Sequence, residues 1–219
     1  MNMNFEQARN NMVKQQIRPW EVTNHRVLET LGSIQREDFV PARYRKLAYA
    51  DMGIPLDHGQ QMMHPVIEGR LLQAIDLQAD ETVLEIGTGS GFLSACLAKL
   101  GKAVCSVDIH AELSAQASKM LKNKKIKNIE CFSGDALNGW MPEQAHDVVV
   151  VTGGVREIPE VFKEWVNPGG RLFIISGNSP AMEARLLKRL NISDWEDSGL
   201  FETDLPLLVN AEQATKFQF

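Results

Sequence analysis

The chain has 219 residues, 44% of them hydrophobic and 23% charged, and a formal net charge of -5 at pH 7. This length fits one compact domain, and the negative charge argues against a general nucleic-acid coat, because phosphate binding needs a basic surface. The three cysteines, Cys96, Cys105 and Cys131, form no CxxC pair and lack zinc-site spacing, so we expect reduced thiols and no metal.

The sequence carries no sign of export or of membrane insertion. The N-terminal segment, MNMNFEQARNN, is polar and lacks the apolar core of a signal peptide. No apolar run approaches the roughly 20 residues that are needed to span a bilayer. We therefore expect a cytoplasmic protein, a monomer or a homodimer, with no membrane partner.

Residues 1–78 predict a helical extension. Apolar residues recur there at helical spacing, and Pro19 separates the first two segments. The predicted segments are a helix from Arg9 to Ile17, a second helix with an N-cap at Thr23 and apolar residues Val27, Leu28, Leu31 and Ile34, a third helix from about Pro41, a loop over residues 53–65 and a helix from Val66 to Ile75.

The pattern changes near residue 80, where short apolar runs begin to alternate with amphipathic stretches. Such alternation predicts right-handed crossovers and a parallel sheet with helices on both faces. We therefore expect a doubly wound α/β core over residues 79–219, with the helical extension as a lid across the carboxyl ends of the strands, where open sheets bind ligands. The predicted strands are TVLEIG, AVCSVD, NIECFSGD, HDVVVVTG and RLFIISG. The predicted helices are FLSACLAKLG, ELSAQASKMLKN, IPEVFKEWV and residues 180–190, with a turn at PGG and a strand pair after Trp195.

A glycine-rich turn follows the first predicted strand of this core. Gly87, Gly89 and Gly91 stand at alternate positions where a strand passes directly into a helix, and glycine lets the backbone approach a ligand closely. A tight connection with no ligand is the structural alternative. The spacing is GxGxG rather than the dinucleotide GxGxxG, and Glu85 would repel a pyrophosphate but suit a cationic amino-acid ligand. These features disfavour a nicotinamide oxidoreductase.

Acidic residues end three successive predicted strands. A single acid at a strand end is commonly a turn residue, but Asp108 is also placed to accept hydrogen bonds from ribose hydroxyls, and Asp135 to meet an adenine amino group. With Glu85 and the glycine turn, they predict a pocket for S-adenosylmethionine on a class I methyltransferase fold. The candidate cofactor-binding residues are Glu85, Gly87, Thr88, Gly89, Gly91, Phe92, Asp108, Ile109, Gly134, Asp135, Ala136 and Thr152.

Over nearly its whole length the chain resembles the protein-L-isoaspartate O-methyltransferase family. The most specific matches are QREDFVP and LAYAD, because they lie outside the cofactor half. The resemblance implies a Rossmann-like, mostly parallel seven-stranded sheet with a late antiparallel strand, and methylation of abnormal aspartyl carboxylates in damaged proteins. Further matching stretches are RNNMVKQQI, VLETLGSI, MGIPL, VLEIGTGSGF, SGDA, DVVVVTGG, EIPE and PGGRL.

The chain departs from this family on the acceptor side. The family segment after LAYAD reads approximately GQTISQP, and its serine lies at the active site. Here Met63 stands where the serine should be, and a thioether cannot donate a hydrogen bond, so the serine's role is not carried over. Arg156 follows the fourth strand, where the family has small residues, although a solvated arginine is the alternative. The candidate substrate-pocket residues are Gln60, Met62, Met63 and Arg156.

The lost serine leaves the acceptor open. A carboxylate is already ionised at neutral pH and needs no general base, so positioning and exclusion of water could sustain isoaspartyl methylation. A different small-molecule or nucleic-acid acceptor, such as a phenol or an amine, would need a base, and His64 is the nearest candidate. A structural role fits His64 equally well. A non-catalytic protein that retains the cofactor pocket is the third hypothesis.

Overall fold

The computed structural model describes residues 4–211, and a seven-stranded sheet forms its centre. The strands within these residues are β1 (Ile54–Pro55), β2 (Gln61–Met62), β3 (Thr82–Ile86), β4 (Ala103–Asp108), β5 (Ile129–Ser133), β6 (His146–Val155), β7 (Val166–Asn178), β8 (Ala181–Arg189) and β9 (Trp195–Thr203). The large sheet has the order β5-β4-β3-β6-β7-β8-β9, while β1 and β2 form a separate antiparallel pair.

Helices cover the sheet and build the N-terminal extension. The α-helices in the described residues are α1 (Phe5–Asn11), α2 (His25–Ser33), α3 (Pro65–Ile75), α4 (Phe92–Leu100), α5 (Ala111–Asn123) and α6 (Glu160–Glu164). None of the helices within residues 4–211 has both the length and the apolar character needed to cross a membrane.

The predicted mostly parallel, seven-stranded sheet is confirmed. Strands β3 to β7 run parallel, and within this sheet only β8 is reversed, because it pairs antiparallel with both β7 and β9. The valine run of β6 is buried on both faces of the sheet: Val148 and Val150 belong to one apolar cluster, and Val149 and Val151 to the other. Such two-sided burial explains why the strand reads as a continuous apolar run.

The N-terminal extension packs into the same core as one face of the sheet. Met12, Ile17, Leu31 and Leu71 are buried in one cluster with Val148. The loop that carries β1 and β2 therefore rests on a well-packed base, close to the carboxyl ends of the parallel strands.

The helix predicted over residues 180–190 is wrong, because this segment is the strand β8. Met182, Ala184 and Leu186 are buried while Glu183 and Arg185 between them are partly exposed, which is the two-residue period of a strand. Pairing with β7 overrides the helix-forming residues of AMEARLLKR.

The remaining differences from the predicted elements are local. Asn24, not Thr23, caps α2, and its side chain accepts hydrogen bonds from the N–H groups of Arg26 and Val27 at 3.0 and 3.4 Å. The predicted PGG turn lies inside β7, where the register with β6 shifts. The first predicted helix consists of α1 and a π-helical segment (Met12–Ile17), and the third predicted helix is a 3-10 segment (Ala42–Leu47). Of the predicted helix IPEVFKEWV, only the residues of α6 are helical. Where a strand pair was predicted, the described residues form one strand, β9, which begins at Trp195; the tail beyond residue 211 lies outside the described residues.

Candidate active site

The glycine-rich turn connects β3 to α4 through backbone conformations that favour glycine. Gly87, Gly89 and Gly91 have φ angles of 98°, 52° and 81°. A Cβ atom on Gly87 would lie 2.1 Å from the Oγ1 atom of Thr152, whose hydroxyl donates to the carbonyl of Gly87 at 2.8 Å. Neighbouring β6 thus fixes the turn, and no larger residue fits at its first position.

Glu85 lies on β3 immediately before the turn and is fully buried. The hydroxyls of Ser94 and Ser106 both donate to its Oε2 atom, the latter at 2.6 Å. Its Oε1 atom has no hydrogen-bond partner among the described residues. Burial raises the pKa of Glu85 to about 7, although the two serine hydroxyls work in the opposite direction. A cationic group in the cavity is the partner that this carboxylate lacks, so the residue fits the ammonium group of S-adenosylmethionine.

The other two strand-end acids, Asp108 and Asp135, line the same cavity as the turn, and Asp108 also accepts a hydrogen bond from it. Asp108 accepts the N–H of Gly89 at 2.8 Å through Oδ2 and the N–H of His110 at 2.9 Å through Oδ1. Asp135 accepts the N–H of Leu137 at 2.9 Å and the side-chain amide of Asn210 at 2.6 Å. A carboxylate offers about four lone pairs, so each acid retains acceptor capacity towards the cavity.

One cavity brings together most of the predicted site residues. It opens where β3 meets β4 and β6, and the loop around β2 forms one of its walls. The predicted residues that line it are Gln60, Met62, Met63, Glu85, Gly87, Thr88, Gly89, Asp108, Ile109, Gly134, Asp135, Ala136 and Thr152.

Four predicted residues do not line this cavity. Gly91 caps α4, and Phe92 is buried with its ring packed on Arg36. His64 caps α3, and its Nδ1 atom lies 4.0 Å from Asp51. Arg156 is exposed just after β6.

The cavity also contains residues that the sequence did not indicate. The C-terminal segment Leu205 to Val209 forms one wall, held by hydrogen bonds of Gly154 with Pro206 and Leu208, each at 2.8 Å. The C-terminal stretch has no motif that could have revealed this position. The other unpredicted lining residues are Leu56, Gln61, Glu68, Ile86, Ser90, Leu93, Val107, Leu137 and Gly153.

Glu68 is the most informative of these residues because it forms a buried ion pair with Arg36. Arg36 is fully buried, donates to the Glu68 carboxylate, and donates to the carbonyl oxygen of Met63 at 2.7 Å. Its guanidinium carbon lies 4.5 Å from the centroid of the Phe92 ring. Burial raises the pKa of Glu68, while the Arg36 charge opposes that effect. The ion pair therefore ties the Met62–Met63 wall to α3 and to the start of α4.

The fold and the cavity define the class of protein. A Plasmodium falciparum protein described as a protein-L-isoaspartate O-methyltransferase, solved with S-adenosyl-L-homocysteine, superposes with a TM-score of 0.78 at 18% identity, covering 94% of this chain and 99% of that one. The chain has the Rossmann-like class I methyltransferase fold.

The family follows from the sequence comparisons. The sequence model of the protein-L-isoaspartate(D-aspartate) O-methyltransferase family matches residues 7–195 of this chain. The protein-L-isoaspartate O-methyltransferase of Brucella anthropi is 33% identical over 198 residues, covering 90% of this chain and 91% of that protein. The one from Opitutus terrae is 37% identical over 188 residues, covering 84% and 80%. The chain belongs to the protein-L-isoaspartate O-methyltransferase family.

The buried ion pair generates a stability prediction. Arg36→Met should lower the free energy of unfolding by about 3 to 5 kcal/mol, because it leaves the Glu68 carboxylate buried without a counter-charge. The double change Arg36→Met with Glu68→Leu should recover much of that loss, since no buried charge remains. Urea unfolding of the three proteins measures both effects. A double variant no more stable than Arg36→Met would contradict this account of the pair.

The buried Glu85 predicts a pH-dependent stability. The ordinary glutamate pKa is about 4.3, so between that value and about 7 the folded chain binds a proton that the unfolded chain has lost. Stability from this group is therefore present in acid and lost as the pH rises through 7. The loss is roughly 3 kcal/mol between pH 5 and pH 8.

Glu85→Gln should remove that component, while the exposed Glu164→Gln control should keep the wild-type dependence. Urea unfolding without cofactor at several pH values provides the comparison. Parallel curves for wild type and Glu85→Gln would show that Glu85 does not titrate in this range.

Proposed function

We propose that the protein transfers a methyl group from S-adenosylmethionine to the side-chain carboxylate of isoaspartyl residues in damaged proteins. The observation that carries this proposal is the single cavity in which the glycine turn and its acids meet the loop that matches the family's active-site segment. Family membership over residues 7–195 supports the same acceptor.

We assign the cofactor half of the cavity to residues around the turn. S-adenosylmethionine supplies an electrophilic methyl group on a sulfonium. Glu85 would accept a hydrogen bond from its ammonium group through the Oε1 atom, directly or through one water. Asp108 would hold the ribose hydroxyls, and Asp135 with Ala136 would frame the adenine. Gly87 and Gly89 allow the close approach, and Thr88, Ile109, Gly134 and Thr152 complete the walls.

The acceptor half is the wall formed by Gln60, Met62 and Met63. Both methionines are 5% exposed, so the part of this wall that they form is apolar and would keep water away from the acceptor. An isoaspartyl carboxylate is ionised at neutral pH, so its oxygen would need no deprotonation before it took the methyl group; the S–CH3 bond of the bound sulfonium would break and S-adenosylhomocysteine would leave as the neutral thioether. The protein therefore contributes orientation and a dry site rather than a general base. Arg36 contributes by fixing the Met63 carbonyl.

The change from serine to methionine narrows this half and removes one hydrogen-bond donor. Losing a donor to a buried acceptor oxygen costs about 1 kcal/mol or more, which slows the reaction without abolishing it. We therefore expect slow turnover and a preference for acceptors with apolar neighbours.

A second acceptor class is favoured by one observation. The carboxylate of Glu68 lines the cavity, and a protic acceptor such as an amine or a phenol would use a base there. In that case Glu68 is better placed than His64, which lies outside the lining.

We also propose that the chain acts in the reducing cytoplasm. Cys96, Cys105 and Cys131 are free thiols. Burial raises the pKa of Cys105 to about 12 and of Cys131 to about 11, and it raises the pKa of Cys96 well above its ordinary value. Thiols that stay protonated react slowly, which suits a compartment where they remain reduced.

We also propose that residues 1–78 are the extension that carries the acceptor loop and that residues 79–219 are the cofactor-binding core.

The acceptor is tested with an isoaspartyl peptide and S-adenosylmethionine labelled in the methyl group. We expect a base-labile methyl ester on this peptide and none on its normal aspartyl counterpart. Met63→Ser should raise kcat/KM for the isoaspartyl peptide by about tenfold through one restored hydrogen bond. The matched change Met62→Ser should give no gain.

Two outcomes would contradict the proposal. If no ester forms even at high enzyme concentration, the isoaspartyl acceptor is wrong, while calorimetric binding of the cofactor would still support the cofactor half. If turnover appears only on an amine or phenol and falls in Glu68→Gln, the second acceptor class is correct.

A further inference from the structure

Two buried serine hydroxyls bind the same oxygen of Glu85. Ser94, the third residue of α4, and Ser106 on β4 have no solvent exposure, and both donate to the Oε2 atom, Ser106 at 2.6 Å. The Oε1 atom of the same carboxylate has no hydrogen-bond partner within residues 4–211. Glu85 lines the cavity, whereas the two serines do not. The serines therefore contact the carboxylate without reaching the space where a ligand would lie.

A third hydroxyl extends this arrangement to the glycine-rich turn. The Oγ1 atom of Thr88 and the Oγ atom of Ser106 are 2.6 Å apart. A hydroxyl has a single hydrogen, and the ionised Glu85 takes that of Ser106, so Thr88 is the donor to Ser106. A directed chain of hydrogen bonds thus runs from Thr88 through Ser106 to the Oε2 atom of Glu85. Thr88 lines the cavity, so the chain ties the carboxylate to the turn.

Two donors on one oxygen hold the carboxylate in one orientation. Rotation would break both serine hydrogen bonds where water cannot replace them, and such a loss is costly in a buried site. Both hydroxyls also favour the ionised form of Glu85, against the effect of burial on its pKa. The other charged groups that act on Glu85 are Asp108 from β4 and Glu68 from α3, and an ionised carboxylate has no proton to donate to Oε1.

We propose that Ser94 and Ser106 are positioning residues that make the cavity selective for a cofactor with an ammonium group. They occupy Oε2 and leave Oε1, with its negative charge, for a cationic donor. A nucleoside that lacks the amino-acid portion gains nothing from this oxygen. Since neither serine lines the cavity, the effect of both passes through Glu85. The inference rests on the proposed function, in which this cavity binds S-adenosylmethionine.

The test compares two ligands by calorimetry at pH 8, above the pKa of about 7 of Glu85. The ligands are S-adenosyl-L-homocysteine and its deamino analogue, which lacks only the ammonium group. Wild type should prefer S-adenosyl-L-homocysteine by about a hundredfold, the size expected for a buried hydrogen bond between charged groups. Ser94→Ala and Ser106→Ala should each reduce this preference to about tenfold. The deamino analogue should bind all three proteins equally, because it makes no use of Oε1.

Ser114→Ala is the matched control. Ser114 is also a buried serine, its hydroxyl donates to the carbonyl of Phe132 at 2.9 Å, and it does not line the cavity. This variant should keep the wild-type preference. In steady-state assays Ser94→Ala and Ser106→Ala should raise the KM for S-adenosylmethionine by about tenfold with little change in kcat, because they weaken the hold on the ammonium group and not on the transferred methyl group.

Glu85→Gln separates this inference from the assignment of the cofactor. If Glu85→Gln loses the preference while both serine variants keep it, the positioning role is wrong and the cofactor site stands. Equal weakening of both ligands in the serine variants would show that the serines only support the fold. A preference that survives Glu85→Gln would overturn the role of Glu85 and this inference with it. Absence of wild-type binding to either ligand would overturn the cofactor site itself.

Discussion

The buried ion pair of Arg36 and Glu68 is the interaction on which both halves of the cavity depend. A guanidinium with no solvent exposure needs a counter-charge, and Glu68 on α3 supplies it. The same guanidinium holds the carbonyl of Met63 and lies over the ring of Phe92, the first residue of α4. The Arg36 guanidinium thus contacts three parts of the structure and holds them together: the Met62–Met63 wall, the helix α3, and the helix α4 that follows the glycine turn.

Glu68 and Glu85 place two carboxylates in one cavity with a single buried arginine. Burial raises the pKa of both, so the folded chain carries a cost that a positively charged ligand can offset. Burial of these two carboxylates therefore lowers the stability of the folded chain and, for the same reason, favours binding of a cationic methyl donor. Arg36 fixes the main chain of Met63, so the acceptor loop stays in place without a side-chain hydrogen-bond donor at this residue.

The part of the cavity to which we assign the cofactor could be predicted from sequence, because its residues follow a local pattern. Glu85, Asp108 and Asp135 end successive strands, and parallel strands end at one edge of a sheet. The acceptor half could be predicted only in part. Arg36 and Glu68 are 32 residues apart in the sequence, and they meet only because α3 packs beside the segment that carries Arg36. Leu205 and its neighbours reach the cavity through pairing with Gly154, and β8 consists of helix-forming residues that the sheet holds extended.

A crystal structure with bound S-adenosyl-L-homocysteine tests the central claim, that one ion pair joins a carboxylate-lined cofactor half to a methionine-lined acceptor half. We expect the ligand's ammonium nitrogen within hydrogen-bond reach of Glu85, directly or through one water. We also expect its sulfur to face Met62 and Met63, with Arg36 still bound to Glu68 and to the Met63 carbonyl. A ligand whose amino-acid end lies away from Glu85, or a Met62–Met63 wall detached from Arg36, would contradict the account.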